Sequence, residues 1–302
     1  MDKLKLVPFE EELKKNSELR EDHMQVLREW HKKQPHLPPI TDSELALFLH
    51  SNEYHIDPTK STIEHFYTLR THLTEVFSGR DIEKDDNLKQ IKNTVLCFPL
   101  PQLSPDGYGI IYGALQDFDP SHYNYTRAVK LLSMTLDLYM YQRGTMKGLV
   151  IIFDLKGVAL GHANQINLGT FKRFNEYVQA ALPVRFKGMH LINSNSAMDV
   201  IMSLAKPFVK KEVLDMMHLH PKPETLENFN ISLDLLPNEC GGKAGAQKDL
   251  FAKELKKLEE HREWFLHEEK NQRVDEAKRA NGPERLTDRS SLKGSFKKLE
   301  LD

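Results

Sequence analysis

Hydrophobic positions in the first eighty residues recur at intervals of three or four, the spacing of helices that each bury one face. Residues 10–33 carry a sparse apolar stripe among many charges, and a stronger stripe runs over 58–77. Between them, residues 41–44 read Thr-Asp-Ser-Glu, a helix-start signal in which Thr41 or Asp42 is the N-cap. The pattern therefore predicts a small all-helical N-terminal domain over residues 1–88.

Beyond residue 90 the pattern changes to short apolar runs separated by amphipathic helices. Runs bounded by glycine or proline predict strands at 94–98, 108–112, 149–153 and 188–193. Helical periodicity predicts helices at 120–141 and 168–181. Because strand, helix and strand in succession are typical of a parallel crossover, we predict an α/β domain with a mostly parallel sheet over residues 89–246.

Two further segments have patterns of their own. Residues 196–209 predict a short helix, rich in methionine, that ends at Pro207. Residues 247–302 are dense in charges of both signs. We expect them to form a long solvated helix over 247–280, followed by a mobile tail that includes residues 283–302.

Composition and charge exclude several classes of protein. The chain has 302 residues, of which 39% are hydrophobic, and a net charge of -2, so nothing indicates a nucleic-acid partner. Its two cysteines exclude a disulfide scaffold and a cysteine-rich zinc site. Its longest apolar runs are too short to cross a bilayer, and its start lacks the apolar stretch of a signal peptide. We expect a soluble, cytoplasmic protein.

No catalytic or cofactor motif emerges from the sequence. The glycines of residues 107–113 have the wrong spacing for a dinucleotide loop and lie within a predicted strand. His218 and His220 lack a third ligand nearby, so we expect no metal site. Asp154 ends a buried strand without a partner base, which favours a hydrogen bond to the loop at Lys156 over catalysis. We expect neither an enzyme nor a cofactor.

Five segments, taken in order, carry a family resemblance. They are residues 148–157, His162 with Gln165, residues 183–193, residues 206–209 and residues 235–242. In order and spacing these segments resemble the CRAL-TRIO lipid-transfer family.

This resemblance implies an α/β domain whose sheet and helices enclose one hydrophobic cavity, preceded by the small helical domain. The helix that runs into residues 206–208 is similar to the family's gating helix, which moves near a membrane to admit and release ligand. By similarity, the ligand is bound by Tyr112, Phe153, Val158, Leu160, Phe174, Tyr177, Val178, Met189, Met198, Ile201, Met202 and Leu204.

The resemblance also implies a basic surface that contacts phosphoinositide or membrane. Arg185 and Lys187 match two basic positions of the family, and Lys210, Lys211 and Phe208 lie close to the gating helix in sequence. The basic positions expected near residues 48–52 are absent here, and two others are occupied by Glu212 and Met216. A phosphoinositide trigger and ordinary solvated lysines both remain open.

Three functions follow as hypotheses. The first is a non-enzymatic carrier of one hydrophobic small molecule, such as a retinoid, carotenoid or tocopherol, with a transient membrane surface as its second partner. The second is a phosphatidylinositol or phospholipid exchange or signalling protein. The third is an adaptor that binds protein through residues 247–302.

Overall fold

The computed structural model describes residues 6–280 and residue 282, and a five-stranded sheet is its centre. The strands are β1 (Val95–Pro99), β2 (Gly109–Leu115), β3 (Leu149–Asp154), β4 (Phe186–Ile192) and β5 (Met217–Leu219). They are ordered β1-β2-β3-β4-β5 across the sheet. Only the pair of β1 and β2 is antiparallel among these strands; the other neighbours are parallel. The prediction of an α/β domain with a mostly parallel sheet is confirmed.

Helices precede, connect and follow the strands. From residue 6, where the described part begins, six come before the sheet: α1 (Phe9–Lys15), α2 (Glu21–His31), α3 (Asp42–Ser51), α4 (Ile56–His72), α5 (Thr74–Phe77) and α6 (Asp86–Ile91). Five lie between the strands: α7 (Tyr125–Arg143), α8 (Leu160–Ala163), α9 (Leu168–Ala180), α10 (Ser196–Ala205) and α11 (Lys211–Leu214). Within the described residues, two follow the sheet: α12 (Gln247–Glu260) and α13 (Arg262–Asn271).

The N-terminal helices follow the predicted periodicity but are more broken. The segment predicted as one helix over 10–33 is two helices, separated where Asn16 leaves the helical conformation. Leu19 lies in this break between the two helices. Its side chain is nevertheless buried, so it belongs to the apolar stripe of residues 10–33. The predicted start of α3 is confirmed: Thr41 Oγ1 accepts a hydrogen bond from the Glu44 amide at 3.3 Å, and Glu44 Oε2 accepts one from the Thr41 amide at 2.8 Å.

Side chains of β2 and β3 alternate between two cores. Ile110 and Tyr112 of β2 and Val150 of β3 face one cluster, which also contains residues of α12 and α13. Ile111 and Leu149 face the other cluster, formed with α3, α4, α7 and α9. Because successive residues of a strand point to opposite faces, the sheet has helices on both sides, and β2 and β3 are apolar almost throughout.

The C-terminal segment corrects the expectation of one solvated helix over 247–280. Two helices form, and Leu258 and Phe265 are fully buried in the same core as the sheet. Glu268 of α13 is buried as well and forms ion pairs with Arg70 of α4 and Arg80. This segment is therefore part of the folded body. Residues 283–302, predicted as a mobile tail, lie outside the described residues.

Candidate ligand cavity

An apolar cavity of about 290 Å³ lies between one face of the sheet and helices α7, α9 and α10. Its floor is formed by the side chains that alternate toward this face, including Ile151 and Phe153 of β3 and Met189 and Leu191 of β4. The wall is almost entirely aliphatic, aromatic or methionine carbon and sulfur. Such a surface can hold an apolar molecule but offers few groups that orient it.

Gly113 of β2 sets the position of one floor residue. A Cβ atom placed on Gly113 would stand 2.7 Å from the ring of Phe153, closer than a real contact allows. The glycine therefore leaves the space in which the Phe153 ring lies against the strand. This contact explains why residue 113 is a glycine. The segment 107–113 as a whole lies partly in β2 and forms no phosphate-binding turn.

Helix α10 covers the cavity, and we call residues 196–209 the lid. Asn195 is the N-cap: its Oδ1 accepts a hydrogen bond from the Ala197 amide at 3.0 Å, and its Nδ2 donates to the carbonyl of Val158 at 2.9 Å. Met198, Ile201 and Met202 line the cavity. Val200 and Leu204 are exposed on the outer side. The lid thus carries apolar side chains on both of its faces.

Gln179 of α9 forms hydrogen bonds to the backbone at the far end of the lid. Gln179 Oε1 accepts a hydrogen bond from the Lys210 amide at 2.8 Å, and Gln179 Nε2 donates to the carbonyl of Phe208 at 3.3 Å. We call this pair of hydrogen bonds the latch. Together with Asn195, it attaches both ends of the lid by polar contacts while the middle packs only through apolar side chains.

The structure places eight of the predicted ligand-binding residues on the cavity wall. They are Phe153, Val158, Phe174, Val178, Met189, Met198, Ile201 and Met202. Their role in binding a ligand stays a prediction. Leu132 and Leu136, which are four positions apart and so share one face of α7, also lie on the wall although neither was assigned to it.

The remaining four residues predicted to line the cavity lie elsewhere. Tyr112 points to the opposite face of the sheet, where its hydroxyl donates to Asp154 Oδ2 at 3.1 Å. Tyr177 is buried among α4, α5 and α9, where its hydroxyl accepts a hydrogen bond from Arg70 at 3.0 Å. Leu160 is 57% exposed, and Leu204 lies on the outer side of the lid. The resemblance located the right elements, but strand and helix direction decide which side chains face the cavity.

Asp154 acts as a hydrogen-bonding hub at the carboxyl end of β3. Its Oδ1 accepts from the Lys156 amide at 2.9 Å, as the sequence predicted, and from Asn193 Nδ2 at 2.7 Å. Its Oδ2 accepts from Tyr112 and lies 3.5 Å from Cys240 Sγ. Burial raises the pKa of the Cys240 thiol to about 12, so the thiol stays protonated at neutral pH.

The predicted basic residues lie in different environments. Arg185 is held by the N-terminal helical region: its Nε donates to the carbonyl of His50 at 2.9 Å, and its Nη2 lies 2.8 Å from Glu53 Oε2. Lys187, Lys210 and Lys211 are exposed. The ring of Phe208 lies 6.3 Å from that of Phe171. Contact of these residues with phosphoinositide or membrane stays a prediction.

Three histidines meet where β4 and β5 pair. His190 Nδ1 lies 2.9 Å from His220 Nε2, and the rings of His190 and His218 are 5.1 Å apart. Burial and the two neighbouring histidines lower the pKa of His190 to about 4. In the part of the chain that the structure describes, no group of three or more His, Cys, Asp or Glu residues is arranged to hold a metal ion. No helix in that same part is long and apolar enough to span a bilayer.

Comparisons with known proteins match two regions of the chain. Residues 16–87 match the family model described as "Pinta-like, UBA domain", and residues 93–242 match the model of the CRAL/TRIO domain. The first of these regions is helical, and the second contains the sheet, the cavity and the lid.

Several known proteins align with most of the chain. A mouse protein named alpha-tocopherol transfer protein-like is 28% identical over 238 residues, which are 78% of this chain and 68% of the mouse protein. The human protein of the same name is 27% identical over 78% of this chain and 69% of its own length. Mouse clavesin-1 is 23% identical over 76% of this chain and 66% of its own length. The solved structure of Sfh5 aligns with 11% identity and a TM-score of 0.43, over 70% of this chain and 74% of that one.

Proposed function

The chain belongs to the CRAL/TRIO family, and from this premise we propose that it is a non-enzymatic cytoplasmic carrier that binds one hydrophobic small molecule beneath the lid and transfers it between membranes. Members of this family bind and transfer lipids. The relatives named for alpha-tocopherol transfer support a ligand such as a tocopherol, retinoid or carotenoid.

The observation that carries this proposal is the apolar cavity covered by α10. Burying apolar surface from water contributes roughly 25 cal/mol per Å², so such a wall gives affinity with few polar contacts. The cavity volume of about 290 Å³ is near the lower end of the range of about 300–1,000 Å³ for pockets that hold one small ligand. A volume of this size supports one bound small molecule.

The outer face of the lid supports the membrane step. Val200 and Leu204 are exposed apolar side chains on the helix that covers the cavity, and Phe208 follows them. When the lid contacts a bilayer, these side chains can enter the interface, and the ligand can leave without crossing water.

Native mass spectrometry of the purified protein, followed by organic extraction, tests the proposal. We expect one apolar molecule of isoprenoid type, near one per chain. Recovery of a phospholipid instead would favour the alternative of phosphatidylinositol or phospholipid exchange. The exposed Lys210 and Lys211, directly after the lid, are the feature that favours this alternative.

Two variants test the location of the site. Phe174→Asp and Met198→Asp each place a charge on the wall, which should weaken binding of the extracted ligand by at least about 100-fold, because an unpaired buried carboxylate is strongly unfavourable. Leu168→Asp is the matched control, since Leu168 lies on α9 with Phe174 but is exposed. Normal binding by both wall variants, with circular dichroism unchanged, would show that the ligand occupies another site.

A further inference from the structure

One residue of the cavity wall, His162, carries a buried ring nitrogen that has no partner among the described residues. His162 of α8 lines the cavity and is only 3% exposed. Its Nε2 is buried and makes no hydrogen bond within the described residues. Buried polar atoms are usually paired, and each exception calls for an explanation. Here the residue belongs to a wall that is otherwise almost entirely apolar.

The hydrogen bond made by the other ring nitrogen, Nδ1, determines whether Nε2 is a donor or an acceptor. The Ala159 amide donates a hydrogen bond to His162 Nδ1 at 3.1 Å. Because Nδ1 is thereby the acceptor, the neutral ring carries its proton on Nε2. His162 therefore presents an N–H donor, and the group that satisfies it must be a hydrogen-bond acceptor.

The surroundings of His162 add two phenol rings. The rings of Tyr123 and His162 meet edge to face, with centroids 5.5 Å apart, and Tyr125 lines the same cavity. Burial raises the pKa of Tyr123 to about 12, so its hydroxyl keeps its proton at neutral pH. The wall thus carries neutral hydrogen-bonding groups in His162, Tyr123 and Tyr125.

The charge of the wall limits the kind of acceptor. Among the described residues that line the cavity there is no lysine or arginine, and Asp154 is acidic. A phosphate or carboxylate at this position would be buried without a countercharge, which is strongly unfavourable. A neutral oxygen meets no such penalty and can accept from the imidazole N–H.

We propose that the ligand carries a neutral oxygen, a hydroxyl or a carbonyl, that accepts a hydrogen bond from His162 Nε2 while its apolar body lies over Phe153 and beneath the lid. This inference rests on the proposed carrier function and narrows it. Oxygen-bearing isoprenoids such as alcohols, phenols and aldehydes fit, whereas pure hydrocarbons leave the donor unpaired.

The test measures displacement of the fluorescent apolar probe diphenylhexatriene by two ligands. One is farnesol, and the other is the hydrocarbon in which a methyl group replaces its CH2OH group. In His162→Phe, the ratio of the Kd for farnesol to the Kd for the hydrocarbon should rise about tenfold above the wild-type ratio, because one hydrogen bond is lost. Using the ratio cancels the different hydration of the two ligands in water.

A matched variant and a second measurement complete the test. Phe174→Leu alters the same wall without removing a donor, so it should change both Kd values by similar factors. An unchanged ratio in His162→Phe would overturn the inference. Should that variant not fold, ¹⁵N NMR of the wild type decides: farnesol, and not the hydrocarbon, should shift the Nε2 resonance of His162, and equal shifts would overturn the inference.

The two proposals fail differently in this experiment. If both ligands displace the probe and His162→Phe leaves their ratio unchanged, the carrier function stands and only the role of His162 is wrong. If neither the probe nor either ligand binds, the carrier function is wrong and this inference is wrong with it.

Discussion

Four charged side chains are buried together where α4, α7 and α13 meet. Asp137 of α7 accepts from Arg70 Nη1 at 3.0 Å and from Arg80 Nη1 at 2.7 Å, and Arg70 Nε donates to Glu268 Oε1 at 3.1 Å. All four residues are essentially inaccessible to solvent. Burial alone would raise the pKa of Asp137, but the two guanidinium groups hold it below its usual value. The two acidic and two basic side chains thus stabilise one another's charges in the buried cluster.

Asp137→Asn should lower the free energy of unfolding by about 3–5 kcal/mol, because it leaves two buried guanidinium groups without their shared carboxylate. Urea denaturation followed by circular dichroism measures this loss. Asp22→Asn is the control: it removes an exposed ion pair with Arg20 and should leave stability nearly unchanged, because solvent screens this pair. Equal effects of the two substitutions would contradict the role of the cluster.

The sequence could not reveal this cluster. Arg70 and Asp137 lie on predicted amphipathic helices, where a charge ordinarily belongs to the solvated face. Their partners are distant in the chain: Arg70 and Asp137 are separated by 67 positions, and Arg70 and Glu268 by 198. Periodicity describes one element at a time, so it carries no information on a charge that is neutralised by another element.

At the scale of elements, the latch predicts how the lid controls release. Gln179→Ala removes both hydrogen bonds to the end of the lid. At about 0.5–1.5 kcal/mol for each bond, it should accelerate ligand dissociation by roughly 5- to 100-fold. Stopped-flow transfer of a bound fluorescent ligand to vesicles measures this rate.

Lys172→Ala, an exposed position of the same helix α9, is the control for the latch and should leave the dissociation rate unchanged. The thermal midpoint of the protein without ligand should stay close to the wild-type value in both variants, because Gln179 belongs to no buried core cluster. An unaltered dissociation rate in Gln179→Ala would mean that apolar packing alone keeps the lid in place.

The histidines that lie where β4 pairs with β5 should make the protein less stable in mild acid. The pKa of His190 is lowered from its usual value near 6.5 to about 4, and those of His218 and His220 are lowered as well. At pH values between about 4 and 6.5, these histidines bind more protons in the unfolded chain than in the folded chain. The free energy of unfolding therefore falls as the pH drops from about 6.5 toward 4.

Thermal unfolding of the wild type and of His190→Gln across this pH range measures the effect. The variant should show a shallower dependence on pH. His50, whose pKa is lowered to about 3 by burial and by Arg185, contributes to the slope of both proteins, so only the difference between the slopes reports on His190. Identical slopes would contradict the assignment.

Strong and regular patterns predicted the elements best. The uniformly apolar run at 149–153 and the long amphipathic helices at 120–141 and 168–181 correspond to β3, α7 and α9. By contrast, α6 and β5 are short, and β5 exists only because it pairs with β4. A strand of three residues carries too little periodicity to be predicted from its own sequence.

At the scale of the whole molecule, the C-terminal helices are part of the fold. Deletion of residues 247–302 would expose the core contacts of Leu258 and Phe265 and remove Glu268 from the buried charge cluster. We expect the truncated chain to lose cooperative thermal unfolding and, with it, ligand binding. Circular dichroism melts and displacement of a bound probe measure both.

A truncated chain that melts like the full-length protein would instead support the hypothesis of a separable adaptor segment. That hypothesis requires the deletion to leave lipid binding intact. The structure argues against this requirement because α12 packs directly on β1 and α7, and Gln247 Nε2 donates to Tyr112 at 2.9 Å.

The candidate site was predictable in its elements but only partly in its residues. The family resemblance identified β3, α9, β4 and the lid, and most of the apolar side chains assigned on them line the cavity. Tyr112 and Tyr177 were misplaced because Tyr112 points to the opposite face of the sheet and Tyr177 is buried among α4, α5 and α9. His162 was part of the quoted motif, but a partnerless nitrogen can be recognised only when every neighbour is in place.

The latch separates two properties of the lid, its selectivity for a ligand and its closure, that would otherwise evolve together. Both of its hydrogen bonds go to main-chain atoms of residues 208 and 210, and Gln179 itself lies on another helix. Every amino acid supplies the carbonyl at 208, and every one except proline supplies the amide at 210. Substitutions inside α10 can therefore reshape the cavity for a new ligand without altering closure. Selectivity and gating are, in this sense, encoded at independent positions.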